Sequence, residues 1–244
     1  MSSTWVVGDI HGCAEELAQL LERISPGPED RLISVGDLYH RGPDPLGVLE
    51  LLAGLPHFDL VLGNHERVLL RRAGAVGELA DGSDAPALPS DLGNLPLDAL
   101  SGDGGTPLRG VPPEKAGGLL RFLEGRPYFL EGLLRNQPWV VVHAGMVPGH
   151  APSRTHPDHL VRLRRLRRLR GQPFWYEVHS GPELVLFGHT PARIPRSRFS
   201  GDRLVALGLD TGCVYGGSLT AFRLEDGEFA RVPARKAWAE AGVF

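Results

Sequence analysis

Five short apolar runs recur along the chain, and each stops abruptly at a glycine or a histidine. Thr4–Val7 runs into Gly8-Asp9-Ile10-His11-Gly12, Leu32–Val35 into Gly36-Asp37, and Leu60–Leu62 into Gly63-Asn64-His65-Glu66. Trp139–Val142 runs into His143-Ala144-Gly145, and Leu184–Phe187 into Gly188-His189-Thr190. Runs this short, rich in Val and bounded by Gly, predict buried strands. Between them the spacing becomes helical. Ala14, Leu17, Leu20, Leu21 and Ile24 form one stripe, and Pro45 suits the first turn of a helix carrying Leu46, Leu49 and Leu52. Leu119, Leu120 and Leu123 mark a third helix from about Glu114 onward. Strands alternating with helices predict an α/β fold with crossover helices.

The end of the chain follows another rhythm. Leu204–Leu209 and Leu219–Leu224 read as strands, and Asp226-Gly227 turns into Glu228–Val232. That hairpin signature predicts antiparallel pairing, and so a mixed sheet. The stretch from Ala73 to Pro113, rich in Gly, Pro and Asp, reads as a long loop or cap, the kind of segment that is functional or disordered. With no internal repeat and no second apolar core, residues 1–244 are expected to form a single domain.

Composition narrows the class. The chain is 42% hydrophobic and 23% charged, close to the globular average, which excludes a disordered or fibrous protein. A formal net charge of -3 offers no global attraction to nucleic acid or anionic lipid, so neither a sequence-specific nucleic-acid partner nor a membrane is expected. No apolar run approaches the roughly 18 residues of a membrane span, and the first residues lack the pattern of a signal peptide. Cys13 and Cys213 are too few for a disulfide scaffold. Two reduced thiols in a cytoplasmic protein are expected, with a single bridge between them as the alternative.

The residues delivered to the five strand ends are Asp9 and His11, Asp37, Asn64 and His65, His143, and His189. Each is a metal ligand or a proton-transfer group, and strand ends are where α/β proteins present such groups to a shared crevice. A lone Gly-Asp or Gly-His carries almost no information, but five such signals in order, each directly after an apolar run, point to one site. Carboxylate, imidazole and amide donors without thiolate suit divalent Mn first, with Fe, Co or Zn as alternatives. The six ligands Asp9, His11, Asp37, Asn64, His143 and His189 exceed the needs of one open catalytic ion and fit two ions bridged by a carboxylate.

The motifs Gly-Asp-x-His-Gly, Gly-Asp-x-x-x-Arg-Gly, Gly-Asn-His-Glu, His-Ala-Gly and Gly-His, from Gly8 to His189, resemble those of the calcineurin-like metallophosphoesterases, within their phosphoprotein phosphatase branch. The tail Leu209–Gly217 resembles bacterial members, including symmetrical diadenosine tetraphosphatases and the phosphatase module of bacterial polynucleotide kinase-phosphatases. The resemblance implies a mixed β-sandwich flanked by helices. It implies that Asp9, His11 and His189 bind one metal, that Asn64 and His143 bind the other, and that Asp37 bridges them. Catalysis would then fall to Asp37, Arg41 and His65, with Arg41, Asn64 and His65 contacting substrate. Two cations sharing a water generate a hydroxide for in-line attack on phosphorus. Arg41 would clamp the phosphoryl oxygens, and His65 would protonate the leaving oxygen.

One position departs from the phosphoprotein phosphatase pattern. Where that pattern has Asp before the Arg, this chain has His40, and a second imidazole cannot stabilise an imidazolium at His65 as a carboxylate would. Diadenosine tetraphosphatases also vary here. For substrate, Ser101-Gly102-Asp103-Gly104-Gly105-Thr106 resembles a phosphoprotein phosphatase segment, whereas the tail is shared with the tetraphosphatases. Leu160–Arg170 carries Arg162, Arg164, Arg165, Arg167, Arg168 and Arg170 between leucines. It is expected to be an amphipathic helix with a solvated face, the alternative being an electropositive rim for polyanions. These features rank a phosphatase of phosphorylated proteins or small phosphomonoesters first and a symmetrical dinucleoside tetraphosphate hydrolase second. A weakly active, metal-binding regulatory protein is a third reading, motivated by His40.

Overall fold

Period-two alternation along the strands sorts the apolar side chains into three layers. The computed structural model describes residues 2–73, 111 and 113–240. The strands are β1 (Thr4–Val7), β2 (Arg31–Ser34), β3 (Phe58–Leu60), β4 (Phe129–Leu134), β5 (Gln137–Val142), β6 (Leu184–Phe187), β7 (Arg196–Ser200), β8 (Arg203–Gly208), β9 (Ser218–Arg223) and β10 (Phe229–Pro233). They form two five-stranded sheets, in the orders β10-β9-β1-β2-β3 and β4-β5-β6-β8-β7. In the first, β1, β2 and β3 run parallel, β9 is antiparallel to β1, and β10 is antiparallel to β9. In the second, β5, β6 and β8 run parallel between antiparallel edges. Both sheets are therefore mixed, the first as the terminal hairpin signature predicts.

Val6, Ile33 and Val61 of the first sheet face Val141, Leu186 and Leu207 of the second, which makes the layer between the sheets. The alternate residues Trp5, Val7 and Leu32 point the other way, into a core with the helices α1 (Ala14–Ile24), α2 (Pro45–Ala53), α3 (Asn64–Arg72) and α4 (Pro113–Leu123). On the far side of the second sheet, Val140, Val142, Val185 and Phe187 pack with Met146, Leu160, Trp175 and Tyr176. Helix α1 buries Leu17 and Leu20 and carries Glu15 and Glu16 in its first turn, where the helix dipole favours acids. Pro45 opens α2, and the Asp44 side chain caps it by accepting from the Gly47 N–H. Cys13 and Cys213 are buried free thiols that share one cluster with Glu16. Among the described residues no helix is long and apolar enough to cross a membrane.

Among the described residues, α3, β4, β7 and the short α5 (Pro157–Arg162) escape the periodicity. Strand β7 is a largely exposed edge with arginines at positions 196 and 198, so it shows no apolar face. The predicted strand at Leu60–Leu62 ends two residues earlier, because the Leu62 N–H turns to the Pro127 carbonyl (2.8 Å). The amphipathic helix expected over Leu160–Arg170 is not formed. Helix α5 stops at Arg162, and Leu163 is extended. The chain then folds back on itself through Leu166 N–H to Pro173 O (2.9 Å) and Trp175 N–H to Arg164 O (3.0 Å). Its leucines do not share one face: Leu160 is buried, while Leu169 is 48% exposed. The loop or cap expected at 73–113, including Ser101–Thr106, falls outside the described residues save for positions 73, 111 and 113.

Candidate metal centre and its cleft

All the strand-end residues singled out from the sequence meet at one edge of the two sheets. Asp9 and His11 follow β1, Asp37 follows β2, and Asn64 and His65 open α3 after β3. His143 follows β5 and His189 follows β6. Several contacts join the sheets here, among them the His189 N–H donating to both Asp9 carboxylate oxygens (3.1 and 3.2 Å) and His143 Nδ1 bonding the Val35 carbonyl (2.8 Å).

The backbone is bent sharply to achieve this. His11, Asp37, Arg41 and His189 all have left-handed φ angles, of 50°, 55°, 78° and 64°. Such conformations are uncommon for non-glycine residues and gather where the surrounding structure over-determines a functional geometry. Gly188 is required by close approach, since a Cβ there would lie 1.9 Å from Asp9 Oδ1. Glu66 braces the Asp37 turn by accepting from the backbone N–H groups of Asp37 (2.8 Å), Leu38 (2.7 Å) and Gly63 (2.9 Å).

The donor set calls for cations. Because Nδ1 of His143 donates to Val35, its Nε2 carries a lone pair. That nitrogen lies 3.0 Å from Asn64 Oδ1, 3.2 Å from His189 Nδ1 and 3.5 Å from Asp37 Oδ2. The lone pair of His143 Nε2 thus faces two oxygen acceptors, Asn64 Oδ1 and Asp37 Oδ2, an arrangement that a shared positive ion resolves. On the other side of Asp37, His11 Nε2 lies 3.6 Å from its Oδ2 and 3.9 Å from Asp9 Oδ2. Two groups able to hold an ion result, Asp9–His11–Asp37 and Asp37–His143–His189, with Asp37 common to both. The His189 ring lies against Nε2 of His143, and its backbone N–H reaches Asp9, whereas the expected division of ligands places it with Asp9 and His11.

The electrostatics agree with that reading. Burial, then the neighbouring Asp210 and Asp37 carboxylates, pushes Asp9 well above the usual carboxylate range. Burial pushes His11, His143 and His189 toward their neutral forms. Burial also raises Asp37, but His143, His65, His11 and His189 together outweigh it and hold Asp37 well below its ordinary value. Asp9 and Asp37 are thus two buried carboxylates repelling each other in one pocket, and a divalent ion supplies the positive charge that offsets them.

Three further groups complete the site. Arg41 Nη1 lies 3.0 Å from His11 Nε2, and its guanidinium sits 5.8 Å from the Tyr215 ring. His65 Nε2 lies 3.8 Å from Asp37 Oδ2, and the buried His40 ring is tilted beside His65 at 4.7 Å. Asp210, which sequence reasoning passed over as a ligand candidate, is buried after β8 and pushed up to about 7 by burial and by Asp37. Its signal was available, since Leu204–Leu209 runs straight into an acid, as two of the earlier runs lead through a glycine to Asp9 and Asp37. Arg41, His65, Asp210 and Tyr215 line a cleft of about 1630 Å³ whose other wall carries Arg162, Arg164, Arg165, Arg167 and Arg168. Arg164 also ties that wall to the centre by donating to the His189 carbonyl (2.9 Å).

Comparison with known proteins agrees with this geometry. The profile of the calcineurin-like phosphoesterases matches residues 2–193. A symmetrical bis(5'-nucleosyl)-tetraphosphatase of Chromohalobacter salexigens is 33% identical over 95% of this chain and 98% of its own length. Serine/threonine-protein phosphatase 1 of Salmonella typhimurium is 34% identical over 91% of each chain. A crystal structure provisionally named a diadenosine tetraphosphatase superposes with a TM-score of 0.71 at 29% identity, covering 96% of this chain and 94% of that one.

Proposed function

The chain belongs to the calcineurin-like phosphoesterases, metal-dependent hydrolases of phosphoric esters and anhydrides, and from that premise we propose that it cleaves symmetrical dinucleoside tetraphosphates. The observation that carries this reading is the arginine wall. A terminal monoester needs only the metal centre and Arg41, whereas Arg162, Arg164, Arg167 and Arg168 line the same cleft and supply positive charge for a longer polyanion. The likeness to the Chromohalobacter tetraphosphatase supports it, and it reverses the order of the two substrate readings drawn from sequence alone.

In this proposal Asp9, His11 and Asp37 hold one divalent ion, and Asp37, Asn64, His143 and His189 hold the other, with Mn favoured by the mixture of carboxylate, imidazole and amide donors. Two such ions supply Lewis-acid charge at phosphorus and a water of lowered pKa. Arg41 binds the phosphoryl oxygens through its planar fork, and His65 holds a proton for the leaving oxygen. Phosphomonoesters are the second reading, supported by the 34% identity with the Salmonella protein phosphatase.

Chelation should abolish activity, and Mn or Co should restore it, with close to two ions per chain in loaded protein. The deciding experiment is kcat/KM for diadenosine tetraphosphate against a phosphopeptide, with ADP as the only nucleotide product of the former. A hundredfold preference for the tetraphosphate, about 2.7 kcal/mol of transition-state binding, is expected. An equal preference for the phosphopeptide would install the second reading.

A further inference from the structure

The cleft wall holds more than charge. Phe187, fully buried behind the second sheet, stacks on Tyr176 with ring centroids 5.2 Å apart and planes 25° from parallel. Tyr176 stacks on Phe174 at 5.3 Å and 16°. Over the outer face of Phe174 lies the Arg165 guanidinium, its Cζ 3.8 Å from the ring centroid. A column of four flat groups therefore runs from the core to the surface, and it ends on an exposed arginine that lines the same cleft as the metal centre.

The column is held in place at each level. Arg165 Nη1 donates to the Gln172 carbonyl at 2.9 Å, and a backbone bridge pairs Arg165 with Phe174. Arg196 donates to the Tyr176 hydroxyl at 2.9 Å and to the Pro191 carbonyl at 3.1 Å, and it flanks Phe174 at 5.1 Å. Leu169 and Val178, 48% and 39% exposed, add apolar surface to the same cleft.

We propose that the outer face of Arg165, at the end of this column, is the seat for one nucleobase of the substrate, stacked flat on the guanidinium. The inference rests on the dinucleoside polyphosphate reading and assigns it a base-recognition element separate from the phosphate-binding arginines. A guanidinium plane accepts a base as an aromatic ring does, without reading its hydrogen-bonding edge. Because the plane is already fixed by Phe174 and Gln172, little ordering is lost when the base arrives. Stacking of this kind favours any nucleoside with a large π surface, purines above pyrimidines.

The test reads binding rather than turnover of the tetraphosphate. ADP and inorganic pyrophosphate are measured as inhibitors of p-nitrophenyl phosphate hydrolysis by the wild-type holoenzyme, Arg165→Lys and Phe174→Leu. Arg165→Lys keeps the charge and removes the plane; Phe174→Leu keeps Arg165 and removes its support. In both variants the inhibition constant for ADP should rise about tenfold, the usual scale for one stacked base, while that for pyrophosphate stays within about twofold. Equal shifts for the two inhibitors, or no shift for ADP in Arg165→Lys, would overturn the base seat. An enzyme that ignores the tetraphosphate yet shows the ADP-specific shift loses the proposed substrate and keeps the seat. One that cleaves the tetraphosphate without that shift does the reverse.

Discussion

The two walls of the cleft are built on opposite principles. The metal-centre wall is made of strand ends, where Asp9, His11, Asp37, Asn64, His143 and His189 are nearly all buried and several occupy strained backbone conformations. Each ligand is placed by a strand whose neighbours fix its height, and by bonds such as His143 to Val35 and Glu66 to the Asp37 turn. The opposite wall, from Leu163 to Phe174, is an exposed excursion held by a few backbone bonds and by stacking. A site so divided keeps the chemistry rigid while the substrate-facing wall tolerates change. Mutations should therefore fall into two groups, one lowering kcat on every substrate and one raising KM on extended substrates alone.

The largest effect is expected at the residue common to both ion groups. Asp37→Ala should lower kcat/KM by at least about a thousandfold, ~4 kcal/mol of transition-state stabilisation, on tetraphosphate and p-nitrophenyl phosphate alike. Metal analysis should show the loss of bound ions, and circular dichroism an unchanged fold. Loss confined to one substrate would break the division between the walls.

Next comes His65→Ala, which should lower kcat by about 10²–10⁴-fold, with both ions retained. The loss should be smallest for p-nitrophenyl phosphate, whose leaving group needs little protonation. A uniform loss across leaving groups would remove the general-acid role from His65.

On the opposite wall, Arg167→Gln combined with Arg168→Gln should raise KM for the tetraphosphate several-fold and flatten its dependence on salt, because screened attraction is being removed. Arg164 is left intact in this variant because it also holds the His189 carbonyl. A fall in kcat on p-nitrophenyl phosphate would show that the two walls are coupled.

The smallest effect concerns pH. Asp210, pushed up to about 7, retains a proton in the native state that the unfolded chain loses near the ordinary aspartate value of 3.8. Native protein thus binds more protons across that window, so the stability from this group is full below about pH 4 and lost as pH rises toward 7. Chelated protein should show a thermal midpoint that falls between about pH 5 and 7.5, and Asp210→Asn should reduce that slope. Equal slopes would mean that Asp210 is ionised throughout.

Much of the metal-centre wall was legible because buried parallel strands leave a plain signature. An apolar run ends on a glycine and a polar residue, and the polar residue lies where the strand leaves the sheet. Asn64 and His65 were legible on the same ground although the helix they open was not, since Asn64-His65-Glu66-Arg67 spends its polar residues on the site and the turn rather than on an amphipathic face. The arginine excursion was misread because leucines at every third residue look helical. Leu163 and Leu166 are instead packed against the outer core from an irregular path.

What the sequence determined by itself was the class of fold and the chemical kind of each ligand, because strand burial and donor type are local properties of residue order. Which histidine ring His189 lies against, which acid lies beside Asp9, and where the arginines stand relative to the candidate ligands were decided only by tertiary structure. Those depend on how two sheets face each other across Val6, Ile33, Leu186 and Leu207, and no spacing along one strand reports its distance from a strand in the other sheet.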